Sequence, residues 1–229
     1  KYKRVYIDNF QEKPKWQLCL GLSAADIVEH VHKNGLADLH YLVDKFWIPK
    51  QFQSTFSSSP EPVYKLLGYR SIAEEESQKE LLVQYLVDFF SYYGVERQFG
   101  VEVPFEIAFD SHKISGRIDL IKLDKISTSL YIIDNKLTSR FIDDLQNSMQ
   151  LAIYFLAMSQ ILKRFNVSKV GYYYFKFAKE VLIDASNLNL DGVRDRVYTV
   201  INGIEQGWFN KKTSGLCSVC DLKKECKNG

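Results

Sequence analysis

Two carboxylates and a lysine stand out as residues able to do chemistry together. Asp119 ends the run Gly116-Arg117-Ile118-Asp119, and fifteen residues later Asp134-Asn135-Lys136 closes the apolar run Leu130-Tyr131-Ile132-Ile133. A strand puts alternate residues on one face, so Asp134 and Lys136 share a face. An apolar run that ends in Asp-x-Lys sets charge where a buried strand emerges. Two acids on neighbouring strands can share a hard divalent cation, because Mg²⁺ takes oxygen ligands and keeps several waters. A lysine two residues on can position or deprotonate an attacking water, or stabilise charge forming on a phosphate. Gly116 leaves room for backbone or substrate to come close. Further on, Gln150 and Tyr154 are four apart and fall on one helix face. Both can hydrogen-bond a phosphate or a base, and Tyr154 can also stack. Singly, each residue has a plainer reading: strand-end charges on a solvated face, or a core tyrosine beside a satisfied glutamine. The ordered set is far rarer than its parts.

The second chemical feature is the placement of four cysteines. Cys19 stands alone, whereas Cys217, Cys220 and Cys226 crowd the last thirteen residues. Together they make four thiolates, the complement of a [4Fe–4S] cluster or a Cys₄ zinc site, and spacing alone does not choose between the two. Disulfides are the plainer alternative, disfavoured if the compartment is reducing.

Elements able to position these residues can be read from hydrophobic periodicity. Residues 22–47 look helical, with Ser23 as a candidate N-cap, Asp26 three residues on, and a break at Gly35. Residues 49–62 read as a loop. Residues 71–93 form a long helix with Leu81, Leu82, Tyr85, Leu86, Phe89 and Phe90 on one face, stopped by Gly94. The pattern then changes. Residues 101–109, 114–123 and 129–137 are strands with short connections, hence an antiparallel meander. Residues 142–165 return to helix, 169–178 form a fourth strand able to join in parallel through that crossover, and a last helix covers about 191–206. The order predicts an α/β fold: a mixed sheet, meander plus one parallel strand, flanked by helices.

These motifs, in this order and spacing, resemble those of RecB-type PD-(D/E)xK nucleases. The matching stretches are Gly116 to Asp119, Ile132 to Lys136, and Gln150-Leu151-Ala152-Ile153-Tyr154. The resemblance implies a restriction-endonuclease-like core over residues 68–180, between an N-terminal helical part (1–67) and a C-terminal helix with a cysteine-rich tail (181–229), all one nuclease domain. It implies that Asp119 and Asp134 hold Mg²⁺ or Mn²⁺, that the backbone carbonyl of Asn135 is a further ligand, and that Lys136 handles the nucleophilic water. Gln150 and Tyr154, with Arg117 and Arg140, would hold the DNA strand. Many relatives carry a histidine ligand in the helix before the first strand. This helix has none, but it has Glu74-Glu75-Glu76, and projection puts Glu75 nearest the apolar face. Glu75 is therefore the expected helix carboxylate, although acids in a first helical turn are also favoured by the macrodipole. Glu102 and Glu106 form a reserve of carboxylates on the first strand. His30, His32 and His40 read as structural or surface residues. A lone cysteine before the core and a C-x₂-C-x₅-C trio after it resemble the iron–sulfur branch, which includes the AddB nuclease domain and CRISPR-associated RecB-type exonucleases. By that resemblance Cys19, Cys217, Cys220 and Cys226 bind a [4Fe–4S] cluster that staples both ends of the chain.

Composition bounds the remaining choices. With 229 residues, 46% hydrophobic and 25% charged, the chain has a globular and not a disordered composition. Thirty Lys+Arg against 28 Asp+Glu give a net charge of +2, so any nucleic-acid surface is local. Basic and aromatic residues do interleave after the site, at Lys136, Arg140, Phe141 and along 172–179. No apolar run reaches the roughly 18 residues that span a bilayer. The chain begins at Lys1 and shows no signal-type apolar region over 1–18, so targeting is not read from it. The expectation is an intracellular, metal-dependent DNA exonuclease acting on single strands or ends, with partners in repair, replication or CRISPR adaptation. A non-catalytic DNA-end-binding subunit of the same fold and an unrelated zinc-stabilised protein are the alternatives.

Overall fold

The computed structural model describes residues 15–96, 98–209, 217, 220, 222–223 and 226. They fall into two compact units, divided between Leu190 and Asp191. The first unit holds the sheet and six α-helices. Helices α1 (Trp16–Asn34), α2 (Leu39–Phe46), α3 (Gln53–Ser57), α4 (Val63–Leu67) and α5 (Ile72–Tyr93) precede three strands, β1 (Gly100–Phe109), β2 (His112–Leu123) and β3 (Leu130–Lys136). Helix α6 (Met149–Ile161) then leads to β4 (Val167–Tyr174) and β5 (Lys179–Asp184). The sheet order is β1-β2-β3-β4-β5, with β3 and β4 parallel and every other pair antiparallel. A parallel pair needs a crossover, and α6 supplies it. The second unit begins with α7 (Leu190–Glu205), against an expected 191–206.

The sheet is anchored on α1, α2 and α5. Ile27 and Val31 of α1, Leu42 of α2, and Leu82, Leu86 and Phe89 of α5 are buried with Leu120, Ile133, Tyr173 and Phe175. Helix α5 matches its expected span, and Ser71 caps it by accepting the Glu74 N–H. Ser71→Ala should therefore lower unfolding stability by about 1 kcal/mol, read by urea denaturation; an unchanged midpoint would deny the cap.

Several elements depart from the sequence reading. Ser23 is no cap, because α1 starts at Trp16; buried in mid-helix, its hydroxyl donates to the Trp47 carbonyl (3.1 Å). Residues 49–62 are not wholly loop: a 3₁₀ turn (Lys50–Phe52) and α3 bury Phe56. Leu81, placed on the inward face of α5, is partly exposed. Residues 142–148 are not helical. Ser148 starts α6 by accepting the Leu151 N–H, and the preceding stretch is held by Ile142 N–H donating to Tyr174 Oη (2.9 Å). The expected strand over 169–178 is really the greater part of β4, a 3₁₀ turn (Phe175–Phe177) and the turn residue Ala178, with β5 starting at Lys179. The reversal passes through Ala178 at φ 45°, a left-handed conformation that apolar patterning does not announce.

Candidate active site

The site forms where β2 and β3 run side by side beneath the start of α6. Their register pairs Leu120 with Ile133, and one step further sets Asp119 beside Asp134. Asp119 reaches across and accepts the Asn135 N–H (2.8 Å). Asp134 is 2% exposed. Its Oδ1 accepts from Gln150 Nε2 (2.6 Å) and from Tyr154 Oη (3.5 Å), and Gln150 Nε2 also donates to Tyr154 Oη (3.0 Å). Lys136 Nζ lies 2.5 Å from Asp134 Oδ2, donates to Gln150 Oε1 (2.8 Å) and sits over the Tyr172 ring. The Asp-x-Lys spacing, the helical Gln-x-x-x-Tyr and the β2 acid thus converge on one carboxylate.

Electrostatically the pocket is poor in positive charge. Burial, then the neighbouring Asp134, push the Asp119 carboxyl up to about 7, against the Asn135 N–H and Lys136. Burial also raises Asp134, with Lys136, Tyr154 and Gln150 opposing. Asp134 Oδ2 is sealed from solvent and has only the ionic contact with Lys136; Asn135 Oδ1 is buried without a hydrogen bond. Close carboxylates disfavour each other's charge, and a cation relieves the conflict. The donor set is all oxygen, which suits Mg²⁺ or Mn²⁺. Asp119 and Asp134 are the residues that would hold such an ion. Among the described residues no group of three or more His, Cys, Asp or Glu is already arranged as a ligand set.

A third acid borders the pair. Glu102 on β1 falls between the pairs Val101↔Leu120 and Val103↔Ile118, opposite Asp119. Its φ is 51°, a left-handed value that costs a side chain with a Cβ energy and recurs at functional sites. The carboxylate pairs with Arg117 Nε (3.3 Å), and burial pushes it up to about 7 despite that arginine. Asp26 of α1, read from sequence as part of a cap, is raised by burial and feels both Lys50 and Arg117. Sequence reasoning held Glu102 only in reserve. The signal was available: with the β1–β2 turn at Asp110–Ser111, counting back along the hairpin sets 102 against 119.

Other expected site residues have different surroundings. Glu75 does face inward, as projected, and its Oε1 accepts from Trp47 Nε1 (2.7 Å) among the helices. Arg117 and Arg140 are exposed, Arg117 paired with Glu102. At Gly116 the close approach is made by the protein itself, since a Cβ there would lie 2.6 Å from the Phe105 ring, which packs edge-on against Tyr154; the exposed glycine also lines an open groove with Pro104, Glu106, Ser115 and Arg117. Cys19 is buried in the first unit, its thiol pushed up to about 12 by burial. Cys217, Cys220 and Cys226 belong to the second unit, and none of the four forms a disulfide among the described residues.

Comparison with known proteins decides the family. The profile of the PD-(D/E)XK nuclease superfamily matches residues 2–227, nearly the whole chain. The chain belongs to the PD-(D/E)XK nuclease superfamily. Among solved structures it is similar to a candidate exonuclease from Eubacterium rectale, with a TM-score of 0.53 at 11% identity, covering 97% of this chain and 78% of that one. The crystal structure of the protein SSO0001 matches with a TM-score of 0.40 at 14% identity, covering 92% of this chain and 95% of that one. A comparison with curated proteins gives no match. The family agrees with the observed mixed sheet and with the Asp-x-Lys on β3 that gives the superfamily its name. Family membership supports a nuclease and hence a nucleic-acid substrate. No helix among the described residues is long and apolar enough to cross a membrane.

Proposed function

We propose that the protein is a metal-dependent DNA exonuclease that acts on single strands or DNA ends. The observation that carries the reading is the Asp134 carboxylate, almost fully buried, held by Lys136, Gln150 and Tyr154 and adjoining Asp119. Asp119 and Asp134 would hold a divalent cation, which when bound would supply Lewis-acid stabilisation of charge on the reacting phosphate. Lys136, whose ammonium lies against Asp134, orients the attacking water and faces the developing charge. The water oxygen bonds to phosphorus and gives up a proton to solvent, while the bond to the opposite phosphodiester oxygen breaks and that oxygen takes up a proton from solvent to leave as the alcohol. Gln150 fixes Lys136 and Asp134 relative to each other, and Tyr154 supports both.

Oligonucleotides labelled at the 5′ or the 3′ end, single-stranded or blunt duplex, test this with Mg²⁺, Mn²⁺ or chelator. We expect stepwise shortening that needs the metal and is faster on single strands. Binding without any metal-dependent cleavage would leave a DNA-end-binding module in place of an enzyme.

The same proposal assigns Cys19, Cys217, Cys220 and Cys226 to one [4Fe–4S] cluster, on the strength of the resemblance of their arrangement around the core to the iron–sulfur branch. The buried, protonated Cys19 thiol would have to release its proton to solvent on binding a metal, as ligand cysteines do. Anaerobically purified protein should be brown, absorb broadly near ~400 nm and contain about four iron atoms per chain. Colourless, zinc-loaded protein would sink this assignment and leave the nuclease reading standing.

A further inference from the structure

The exposed aromatics of the described surface include one pair built as a stack. Phe141, in the segment after β3, and Phe177, in the turn after β4, lie with ring centroids 4.6 Å apart and planes 28° apart. They are 40% and 44% exposed, so the stack is not core packing. Phe141 also meets the Tyr174 ring edge-on (4.7 Å), and Tyr174 is fully buried, which gives the stack a rigid base. Lys179 Nζ lies 5.3 Å from the Phe141 ring centre. Beside them runs a groove of about 540 Å³, lined by Phe141, Ile142, Leu145, Lys179, Val181 and Ile183, with Asp143 also on its wall.

The stack is continuous with the candidate active site. Tyr174 is the register partner of Lys136, and Tyr172 that of Asp134. Lys136 lies over Tyr172, Tyr172 packs against Tyr174, and Tyr174 carries Phe141. Four residues of chain separate Lys136 from Phe141.

We propose that Phe141 and Phe177 form a stacking platform for an unpaired base of the DNA strand threaded through the site, with Lys179 on the adjacent phosphate. The proposal rests on the nuclease reading and names its substrate as single-stranded DNA. Every base has a π-face, so a platform of this kind tolerates sequence, and a neighbouring lysine binds the backbone. Bases in an intact duplex have their faces covered, so the platform selects single strands. An aliphatic peptide would have little use for the flat rings, and a nucleobase edge or face fits them.

Fluorescence anisotropy with labelled oligo-dT and a blunt duplex, in chelator so that nothing is cut, tests this on the full chain. Phe141→Ala/Phe177→Ala should bind oligo-dT ~10-fold more weakly, the loss expected of one stacked base, and should lose far less on the duplex. A second variant, Phe177→Trp, places a reporter in the stack, and oligo-dT should quench its emission. Equal loss on both DNAs, unchanged oligo-dT affinity, or unquenched Trp emission would each overturn the platform, as would a change of oligomeric state in the double variant, which would make the face a contact between copies. If the wild type cuts DNA while the double variant binds oligo-dT normally, the platform fails and the nuclease stands. If oligo-dT binds as expected and nothing is cut, the reverse holds.

Discussion

Lys136→Met should lower kcat on single-stranded DNA by roughly 10²- to 10³-fold, the usual cost of removing one preorganised charge from a reacting centre. Methionine keeps the length and packing of the side chain and removes only the cation. Lys136 neutralises Asp134 at 2.5 Å and ties it to Gln150. Loss of that charge leaves a buried carboxylate that takes up a proton more readily. Metal binding should therefore survive but need a higher pH, because the acids that hold the ion are still present. Single-turnover kinetics separates these effects from product release. A variant with kcat within threefold of wild type would show that Lys136 only packs and pairs.

The second large effect is on stability, and its sign follows from the carboxylates. An ordinary aspartate titrates near pH 4, whereas Asp119 in the folded protein sits at about 7. Between those values the folded, metal-free protein holds a proton that the unfolded chain has already released. Stability is then fully retained below about pH 4 and falls as pH rises toward 7. Asp119 shares this effect with Asp134 and Glu102, whose carboxyls burial also raises, so the fall in stability is a property of the three acids together. Melting of chelated protein at pH 5 and pH 8 should show the fall, and Mg²⁺ or Mn²⁺ should reverse most of it at pH 8 and little at pH 5. Asp119→Asn keeps an acceptor for the Asn135 N–H and should flatten the slope. If that variant has the wild-type slope, Asp119 is not titrating in this way.

Both effects come from residues that the sequence displayed, because short motifs carry their own geometry. Period two fixes Asp134 and Lys136 on one strand face, and a four-residue helical step fixes Gln150 and Tyr154. Helix α5 was equally legible, since a capping serine, an apolar stripe and a stop glycine all agree. What escaped depends on partners distant in sequence. The close approach at Gly116 is made by the Phe105 ring across the hairpin, a partner that the motif itself does not name. Ser23 looks like a cap until the Trp47 carbonyl appears 24 residues away. The β4–β5 reversal hides in a run rich in aromatic residues, since its left-handed residue is Ala178 and not a glycine. Glu102 was visible as a carboxylate, but its backbone strain and its place opposite Asp119 need the paired strands.

The central claim is that Asp119 and Asp134 hold a divalent cation that this chain uses to cut DNA. Mn²⁺ binding, followed by electron paramagnetic resonance of the free ion, tests it most directly when run beside cleavage of the same samples by wild type and Asp134→Asn. We expect the wild type to bind Mn²⁺ and shorten DNA, and Asp134→Asn to lose both together. An Asp134→Asn protein that still binds Mn²⁺ as tightly, or still cuts as fast, would contradict the account.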